Sequence, residues 1–487
     1  MDQTVPLTAE QISDEERGII WTTIPARLDR LPWSRFHMVV VIALGITWIL
    51  DGLEVTIVGA LGPILQRSDT LGLSASEIGA AASFYVAGAV FGALLFGWMT
   101  DRMGRKQIFF LTLGIYILGV AGSAVSFDMA SFAVARFLTG IGIGGEYAAI
   151  NSAIDELVPA RLRGRVDLIV NATFWAGAAL GSAGTMLLLH SHVLSMAVAW
   201  RALFGIGAFL GLCVIGMRAW VPESPRWLMT HRRVEEATAI INRIEAQCAH
   251  VPGAVPAIRI YAQGSFGLRR ALLIMATQYR ARVFYVMVLM VSQAFLYNAV
   301  FFTYGMVLTH YDAVAPDSVG LYLLPLAIGN LLGPILLGPF FDTIGRRRMI
   351  GATYGLSALL MIGMTIAFVQ GEVGALGQTL LWAAIFFFAS AAASSAYLTA
   401  SEIFPLEMRA LAIALFYAGG TLFGGVFAPF AFSLLIGHGA RGELGLGYVV
   451  AAALMAFAAL VALVWGVDAE GRSLEDVAPP LGGGDMV

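Results

Sequence analysis

Three ionisable side chains lie inside long apolar stretches of the chain, where charge is costly. Asp51 and Glu54 fall in the first stretch, and their i, i+3 spacing places both on one face of a helix. Arg136 falls near the start of the fourth stretch. Charged side chains at membrane depth cost about 2.5–3.5 kcal/mol each, so these groups are expected to pair or to line a wet cavity. Burial raises the pKa of a carboxyl group and a nearby arginine lowers it, and the pattern predicts a proton-coupling site.

Two simpler interpretations remain open for these residues. Arg136 could serve only to neutralise an acid, which would permit the helix to insert. Asp51 fits equally well as an acid near one mouth of the protein. A bundle that needs no charge would use leucine at such positions, which favours a functional role for Arg136.

A second set of charges occurs in short polar turns between apolar stretches, and each turn is followed later by a Glu-x-x-Pro-x-x-x-Arg motif. We expect the turn and the motif of each half to meet at the cytoplasmic face and to lock that face until it opens. Loop charges that only set the topology would explain some of the arginines but not the paired acids. The predicted gate residues are Asp101, Arg102, Arg105, Glu156 and Arg163 in the first half, and Asp342, Arg346, Arg347, Glu402 and Arg409 in the second.

The spacing of these motifs indicates an internal duplication. Asp101 and Asp342 are 241 positions apart, and Glu156 and Glu402 are 246 apart. A nearly constant offset across separate motifs is expected of two related halves, and internal repeats of this kind are typical of secondary transporters.

Composition places the chain in a membrane. Of its 487 residues, 59% are hydrophobic and 13% are charged, against roughly 25% charged in a soluble domain. The net charge of −3 makes nucleic acid an unexpected partner. The two cysteines, Cys213 and Cys248, predict neither a disulfide framework nor a metal site, and no cofactor is expected. A polar N-terminal segment without a short apolar core predicts no cleaved signal peptide.

Twelve apolar segments are long enough to cross a bilayer. They divide the chain into a cytoplasmic segment 1–36, a six-helix bundle 37–220, a loop 221–281 with amphipathic helices, a second bundle 282–467 and a tail 468–487. A solvated linker that only tethers the halves is the alternative for the loop. The predicted spans are 37–60, 77–99, 107–127, 130–153, 166–189, 198–220, 282–309, 318–341, 349–369, 377–401, 410–435 and 445–467.

Arginine is distributed asymmetrically among the loops. The turns at 101–106, 161–165 and 346–348 carry clustered arginine, whereas the alternate loops carry almost none apart from Arg67 and Arg441. Positive residues favour the cytoplasmic side, so both termini are predicted to be cytoplasmic in a multi-pass inner-membrane protein.

These motifs together resemble the major facilitator superfamily, close to its sugar-porter and metabolite:proton symporter branches. The resemblance covers nearly the whole chain and includes the paired turns, the motif Pro222-Glu-Ser-Pro-Arg-Trp and the segment 470–475. It implies twelve helices in two halves, with Glu54 as the coupling acid of the first helix and Arg136 as its partner. Asp51 belongs to the Asp-Gly-x-Asp/Glu pattern of the metabolite symporters. The glycines from Gly140 to Gly145 lie inside an apolar helix, so they predict close helix packing and not a dinucleotide loop.

The same resemblance suggests residues that contact the substrate. Amides suit hydroxyl or carboxylate ligands because they both donate and accept hydrogen bonds. Tyrosines at helical spacing are further candidates to line a pocket, although such aromatics more often face lipid or a core. The stacking tryptophan of sugar porters is replaced by Ala392, and their Gln-Trp pair by Ala418-Gly419. The candidates are Asn171, Gln293, Tyr297, Asn298, Asn330 and Tyr397.

The sequence therefore predicts an all-α membrane protein, and not an enzyme, that imports a small polar metabolite with protons. An organic or aromatic acid is favoured over a hexose. A sugar or polyol porter, an exporter and a non-transporting sensor on the same fold remain alternatives. The expected partners are a small-molecule substrate, protons and the lipid bilayer, and a monomer is expected. The sequence leaves the role of Glu146 open between the cavity and a neighbouring helix.

Overall fold

The computed structural model describes most of the chain. The described residues are 19–65, 67–190, 194–218, 221–248, 257–261, 268–301, 303–314, 319–426, 428, 431–432, 435–436 and 439–479. The start of the predicted N-terminal segment, parts of the central loop, the end of the 410–435 span and the end of the tail lie outside these ranges.

The first half is built from long helices that follow a short strand and a short helix. Strand β1 spans Ile19–Thr22 and helix α1 spans Ile24–Arg30. The six long helices are α2 (Arg35–Leu65), α3 (Ala75–Met103), α4 (Arg105–Val125), α5 (Met129–Leu157), α6 (Arg163–His190) and α7 (Met196–Arg218).

The central loop contains short elements, and the second half repeats the long helices. The loop carries α8 (Pro225–Thr230), α9 (Val234–Glu245), β2 (Ile258–Tyr261) and α10 (Leu268–Thr277). The second half comprises α11 (Arg280–Phe301), α12 (Tyr304–Tyr311), α13 (Val319–Thr343), α14 (Arg346–Gln370), α15 (Ala375–Glu402), α16 (Arg409–Gly420), a π-helical turn (Thr421–Val426) and α17 (Arg441–Trp465), and α18 (Leu474–Val477) lies in the tail.

Ten helices within the described ranges are long and apolar enough to cross a membrane, whereas the sequence predicts twelve spans. The predicted span 130–153 is the continuous helix α5, which is not among the ten. The predicted span 410–435 begins as α16 and continues through the π-helical turn, beyond which only some residues are described. The predicted span 282–309 is divided between α11 and α12.

Local sequence signals account for the helix ends. Ser74 and Glu77 form a reciprocal capping box that begins α3, and Asp128 and Ser131 begin α5 in the same way. Gly104 and Gly345 lie between consecutive long helices with φ of +93° and +111°, a region that side chains disfavour. These two glycines permit the tight polar turns of both halves.

The helices pack as two related bundles that meet through two equivalent contacts. Helix α3 packs on α16, and α6 packs on α13. Close approach within the first bundle depends on small residues, because a Cβ atom at Gly144 would lie 1.9 Å from the carbonyl oxygen of Ala89. Large apolar side chains such as Leu118, Phe127 and Leu321 are exposed on the outer surface, as expected where lipid replaces water.

A small subdomain covers the end of the bundle that carries Arg105, Arg163, Arg346 and Arg409, which we call the arginine face. Its apolar core includes Ile24, Leu28, Trp227 and Ile241 from α1, α8 and α9. Strand β1 pairs antiparallel with β2, which the sequence did not predict. The described start and end of the chain both reach this subdomain, because Arg226 binds Asp29 near the start and Glu475 in the tail. We call the opposite end the far face.

Candidate functional site

A buried ion pair joins α2 to α5. The Arg136 guanidinium donates a hydrogen bond to Glu54, and the two residues are 1% and 0% exposed. The guanidinium also lies over the Tyr85 ring, 4.6 Å from its centroid. Among the described residues, no donor reaches the second carboxylate oxygen of Glu54. The pair therefore has charge balance but retains an unused acceptor.

The pair lies nearer to the far face than to the arginine face. Arg136 comes seven residues after the start of α5 at Met129, whereas Glu54 comes 19 residues after the start of α2 at Arg35. At ~1.5 Å per residue these separations are about 10 Å and about 28 Å along the helices. Asp51 is also buried, one turn closer to the arginine face, within electrostatic range of Tyr147 and Tyr417.

Aromatic side chains from both halves meet at the junction between the bundles. Tyr147 of α5 lies 4.2 Å from the ring of Tyr417 on α16 and 6.0 Å from the ring of Tyr397 on α15. Trp175 of α6 stacks on Tyr297 of α11 at 5.7 Å with an interplanar angle of 29°. Aromatic side chains therefore line the junction from both halves.

The structure brings several predicted substrate residues together. The Tyr297 hydroxyl donates to Asn330 at 2.5 Å, and the Asn330 amide donates to the carbonyl of Leu326. Gln293 faces the hydroxyl of Tyr397. The Asn298 amide donates to the carbonyl of Ala294. This amide lies beside the π-helical turn, since a Cβ at Gly425 would be 3.9 Å from the Asn298 amide nitrogen.

Asn171 belongs to a different cluster. Its amide donates to Asp167 at 3.2 Å and to Asn151 at 3.4 Å, eight residues after the start of α6 at Arg163. Asn171 therefore lies about 12 Å along α6 from its start at the arginine face, and its role as a substrate contact stays a prediction.

The arginine face is closed by two equivalent contacts between the halves. Asp101 at the end of α3 accepts the backbone N–H groups of Ala410 at 3.3 Å and Leu411 at 3.1 Å, in the first turn of α16. Asp342 at the end of α13 accepts those of Gly164 at 3.1 Å and Arg165 at 2.8 Å, in the first turn of α6. Each carboxylate thus caps a helix of the other half, where the helix dipole favours negative charge.

Four buried arginines connect these contacts to the two Glu-x-x-Pro-x-x-x-Arg motifs. Arg105 binds Glu156 at 2.7 Å and Arg346 binds Glu402 at 2.9 Å, each within its own half. Arg409 reaches Glu156 at 3.5 Å and Arg163 reaches Glu402 at 3.8 Å, each across the junction. We call the connected residues the latch: Asp101, Arg105, Glu156, Arg163, Asp342, Arg346, Glu402 and Arg409.

The structure corrects three of the predicted contacts. Arg163 was expected to join the group of Glu156, and Arg409 that of Glu402, but the two arginines are exchanged between the halves. Each arginine begins a helix that packs on the other bundle, so it reaches the opposite motif. Arg347 is partly exposed and donates to the carbonyl of Leu463, so it lies outside the latch.

Arg102 follows the latch aspartate in sequence but turns to a different neighbour. Its guanidinium lies over the Trp98 ring, 3.8 Å from the ring centroid. Such a cation–π contact keeps the charge at the rim of the arginine face.

Acidic residues of the central loop and the tail hold the latch from the solvent side of the arginine face. Glu223 accepts the backbone N–H groups of Arg105 at 3.0 Å and Lys106 at 3.2 Å, and Glu470 accepts that of Arg346 at 3.2 Å. Burial raises the pKa of the Glu223 carboxyl above its ordinary value, although these donors oppose the rise. Asp29 binds Arg163 at 3.4 Å, so the N-terminal segment also contacts the latch.

Two buried acids near the latch were not predicted from the sequence. Asp155 and Asp167 are both 0% exposed. The sequence does contain a signal for both acids. Asp167 lies inside the predicted span 166–189, and Asp155 directly precedes the motif glutamate. Among the described residues, no group of histidine, cysteine, aspartate or glutamate is arranged to hold a metal ion.

These features define the class of the protein. Two related helical bundles, a buried ion pair near one face and a charge network that closes the other are the components of a secondary transporter that works by alternating access. Residues 47–480 match the family described as sugar (and other) transporter, and the chain belongs to this family. It is accordingly an integral, multi-pass membrane protein and not an enzyme.

Similar proteins of known name are transporters as well. The chain is 24% identical to the niacin transporter NiaP of Acinetobacter baylyi over 93% of this chain and 99% of the relative. It is 25% identical to a gallate transporter of Pseudomonas putida over 93% and 97% of the two chains. It is 28% identical to myo-inositol transporter 2 of Schizosaccharomyces pombe over 75% and 68%.

Solved structures confirm the fold. The proton:xylose symporter XylE bound to 6-bromo-6-deoxy-D-glucose superimposes with a TM-score of 0.74 at 20% identity, covering 91% of this chain and 98% of that one. The inward-open structure of XylE from E. coli gives 0.59 at 19% identity, covering 91% and 99%. The prediction of a major facilitator fold with two six-helix halves is confirmed.

Proposed function

We propose that this transporter takes up a small organic or aromatic acid together with protons across the inner membrane. The observation that carries the proposal is the buried ion pair of Glu54 and Arg136 beside the aromatic junction. Protonation of Glu54 removes its charge and leaves Arg136 without its partner. Breaking a buried pair from one side costs about 3–5 kcal/mol, so a substrate carboxylate that replaces Glu54 is strongly favoured.

Coupling follows from this exchange of partners. A proton on Glu54 favours the binding of an anion at Arg136, and a bound anion favours the proton to the same degree. The pair lies nearer the far face, so we assign this face to the outside, where protons and substrate enter. The arginine face is then cytoplasmic, in agreement with the positive-inside rule.

The latch sets the direction of access in this proposal. With the latch closed, substrate and proton bind from outside. Opening the arginine face separates α3 from α16 and α6 from α13, and breaks the caps at Asp101 and Asp342. Loss of the proton to the cytoplasm restores the contact between Glu54 and Arg136, which expels the anion.

The substrate class rests on the aromatic junction and on the relatives. Niacin and gallate, named for two of the relatives, each carry a carboxylate on an aromatic ring. Trp175 and Tyr297 present faces for such a ring, and the amide of Gln293 and the Tyr297–Asn330 pair supply hydrogen bonds. Ala392 and Ala418-Gly419 stand where the resemblance to sugar porters implies sugar contacts. We assign ring contact to Trp175 and Tyr297, and polar contact to Gln293, Asn298, Asn330 and Tyr397.

Counterflow in proteoliposomes tests the proposal. Purified protein should exchange labelled nicotinate or gallate and should show little exchange of xylose or myo-inositol. Trp175→Ala removes the stacking face and should raise the apparent Kd for the aromatic acid about 5-fold to 100-fold, the effect of ~1–3 kcal/mol. Gly216→Ala is the matched control, because a Cβ at Gly216 meets nothing within 4 Å.

A sugar or polyol porter is the second candidate. The relative named as a myo-inositol transporter and the family description favour it. Robust counterflow of xylose or myo-inositol without exchange of aromatic acids would decide for this candidate. Accumulation only in vesicles of inverted orientation would make the protein an exporter.

A further inference from the structure

We propose that Asp155 and Asp167 form a second proton-binding site, separate from Glu54, that ties the closing of the latch to the pH on the arginine face. The site lies between α5 and α6, on the latch side of Asn151 and Asn171. These two amides touch at 3.4 Å across the helix pair. Asp155 follows Asn151 by one turn of α5, and Asp167 precedes Asn171 by one turn of α6, so in two antiparallel helices the acids fall at the same level.

Among the described residues, neither acid forms a direct ion pair of its own. Within the described ranges, the four arginines of the latch already bind its four acids, and Arg226 is committed to Asp29 and Glu475. Among the described residues, no donor reaches either oxygen of Asp155 or one oxygen of Asp167, although both residues are buried. The hydroxyl of Ser401 faces Asp155, but its hydrogen is given to the carbonyl of Leu398 at 2.7 Å.

The arginines that face the two acids are shared with the glutamates of the latch. Asp155 is faced by Arg163 of α6, Glu402 of α15 and Arg409 of α16. Asp167 is faced by Asp155, by Glu402 and by Arg346 of α14. Two further buried negative charges here would each cost several kcal/mol, so the closed latch holds protons on this pair.

The direction of the effect follows from access. When the arginine face opens, water reaches the pair and the carboxyl groups ionise, with the protons leaving to the arginine face. When the face closes, protons return from that same side, so the site moves no proton across the membrane. The closed state binds more protons than the open state, and therefore raising the pH on the arginine face favours opening.

This site gives the protein a response to internal pH. An acidic interior keeps the latch protonated and shut, which slows further uptake of acid. The inference holds independently of which substrate is carried.

Accessibility of a latch cysteine tests the inference. Ala410 is 0% exposed in the closed latch, so Ala410→Cys in a Cys213→Ala/Cys248→Ala background reports opening to an impermeant maleimide. The labelling rate of Ala410→Cys is divided by the labelling rate of the exposed Ala239→Cys, measured in the same background. This ratio removes the pH dependence of the thiol itself. The corrected rate should rise with pH, by at most about tenfold per pH unit for each proton released.

The double variant Asp155→Asn/Asp167→Asn should abolish this rise and leave the latch slow to open at every pH. Glu54→Gln should keep the rise, which separates this site from the coupling site. Asp128→Asn at the far face is the matched control and should also keep it. A double variant that retains the rise overturns the inference, as does a dependence on sodium at fixed pH, which would indicate a cation site.

Infrared spectroscopy provides a second readout that does not depend on opening. Wild-type protein with the latch closed should show the carbonyl band of a buried protonated carboxyl group. The band should be lost in the folded double variant and kept in Asp128→Asn. The same band intensity in all three proteins would contradict the assignment.

Discussion

At the scale of single residues, the function depends on one buried carboxylate whose charge is balanced by one arginine. Their positions in apolar stretches predicted that Glu54 and Arg136 would pair or line a cavity, the resemblance to sugar porters implied that they are partners, and the structure places them in contact. Their role in coupling is a proposal. Substitutions can distinguish this role from a role in substrate binding.

Glu54→Gln mimics the protonated acid and should keep substrate exchange while it loses pH-driven accumulation. A single proton carried with a single anion moves no net charge, so wild-type accumulation should follow the pH gradient, up to about tenfold per pH unit. Arg136→Ala should lose both exchange and accumulation. The measurement is uptake of labelled substrate by proteoliposomes with and without an imposed pH gradient.

Asp312→Asn, at the far end of the other half, is the control for Glu54→Gln. It removes a carboxylate that binds Arg441 at 3.4 Å and should keep accumulation. If Glu54→Gln concentrates substrate at the wild-type level, Glu54 is not the coupling acid and Asp51 becomes the residue to test.

At the scale of helices, the latch requires two helix ends to lie almost in contact. A Cβ at Gly164 would lie 2.3 Å from the nearer guanidinium nitrogen of Arg346 and 2.6 Å from a carboxylate oxygen of Asp342. Gly164→Ala should therefore push α6 away from α13 and weaken the closed state by about 1–3 kcal/mol. Labelling of Ala410→Cys should accelerate by about 5-fold to 100-fold at the same pH.

Gly216→Ala is the matched change for this prediction, since open space surrounds that position. It should leave the labelling rate of Ala410→Cys near that of the parent. Equal rates in Gly164→Ala and Gly216→Ala would show that the close approach at Gly164 does not hold the latch.

The docking of the tail should depend on pH through Glu475. Burial alone would raise the pKa of this carboxyl, but the Arg226 guanidinium lowers it below its ordinary value. Because the pKa is lowered in the docked state, the contribution of Glu475 to docking of the tail is complete above the undocked pKa of about 4.3. This contribution is lost as the pH falls below that value. Cleavage by a protease active in acid should therefore release the tail faster as the pH falls through this range.

Glu475→Gln should undock the tail at neutral pH and remove most of this pH dependence. Trypsin cleavage after the exposed Arg472 should then be faster than in wild type, by the loss of a charged hydrogen bond worth about 1.5–3 kcal/mol. Asp476→Asn, one residue along and exposed, should cleave at the wild-type rate. Unchanged cleavage in Glu475→Gln would mean that this contact does not hold the tail.

The sequence predicted the helices of the latch but not the connections between them. The repeat identified Arg163 and Arg409 as equivalent residues, yet in a two-fold arrangement an equivalent pair can bind within each half or across the junction. Helix packing decides between these choices, and packing of α6 on α13 is a long-range property. Asp155 was missed for a related reason, because its lack of a direct ion pair among the described residues appears only when every neighbouring arginine has been assigned.

At the scale of the whole molecule, the arrangement of the two faces predicts the topology. Single cysteines near Asp128 and Asp312, for example at the exposed Ala313, in a background without Cys213 and Cys248, should react with an impermeant maleimide in intact cells. A cysteine at the partly exposed Arg347 should react only after the membrane is made permeable. Labelling of Arg347→Cys from outside would reverse the assignment of the arginine face to the cytoplasm.

The small sheet has a consequence for biosynthesis. Ile19 of β1 pairs with Tyr261 of β2, which lies 242 residues later in the chain. Strand β1 therefore stays unpaired until β2 has left the ribosome. All six helices of the first half have been synthesised by then, and α6 and α7 must settle in the bilayer while β1 is unpaired. Contacts of such sequence separation form slowly. Closure of the arginine face also uses Arg409 and Glu475, which are synthesised later still, so the first bundle enters the membrane before the residues that lock it exist.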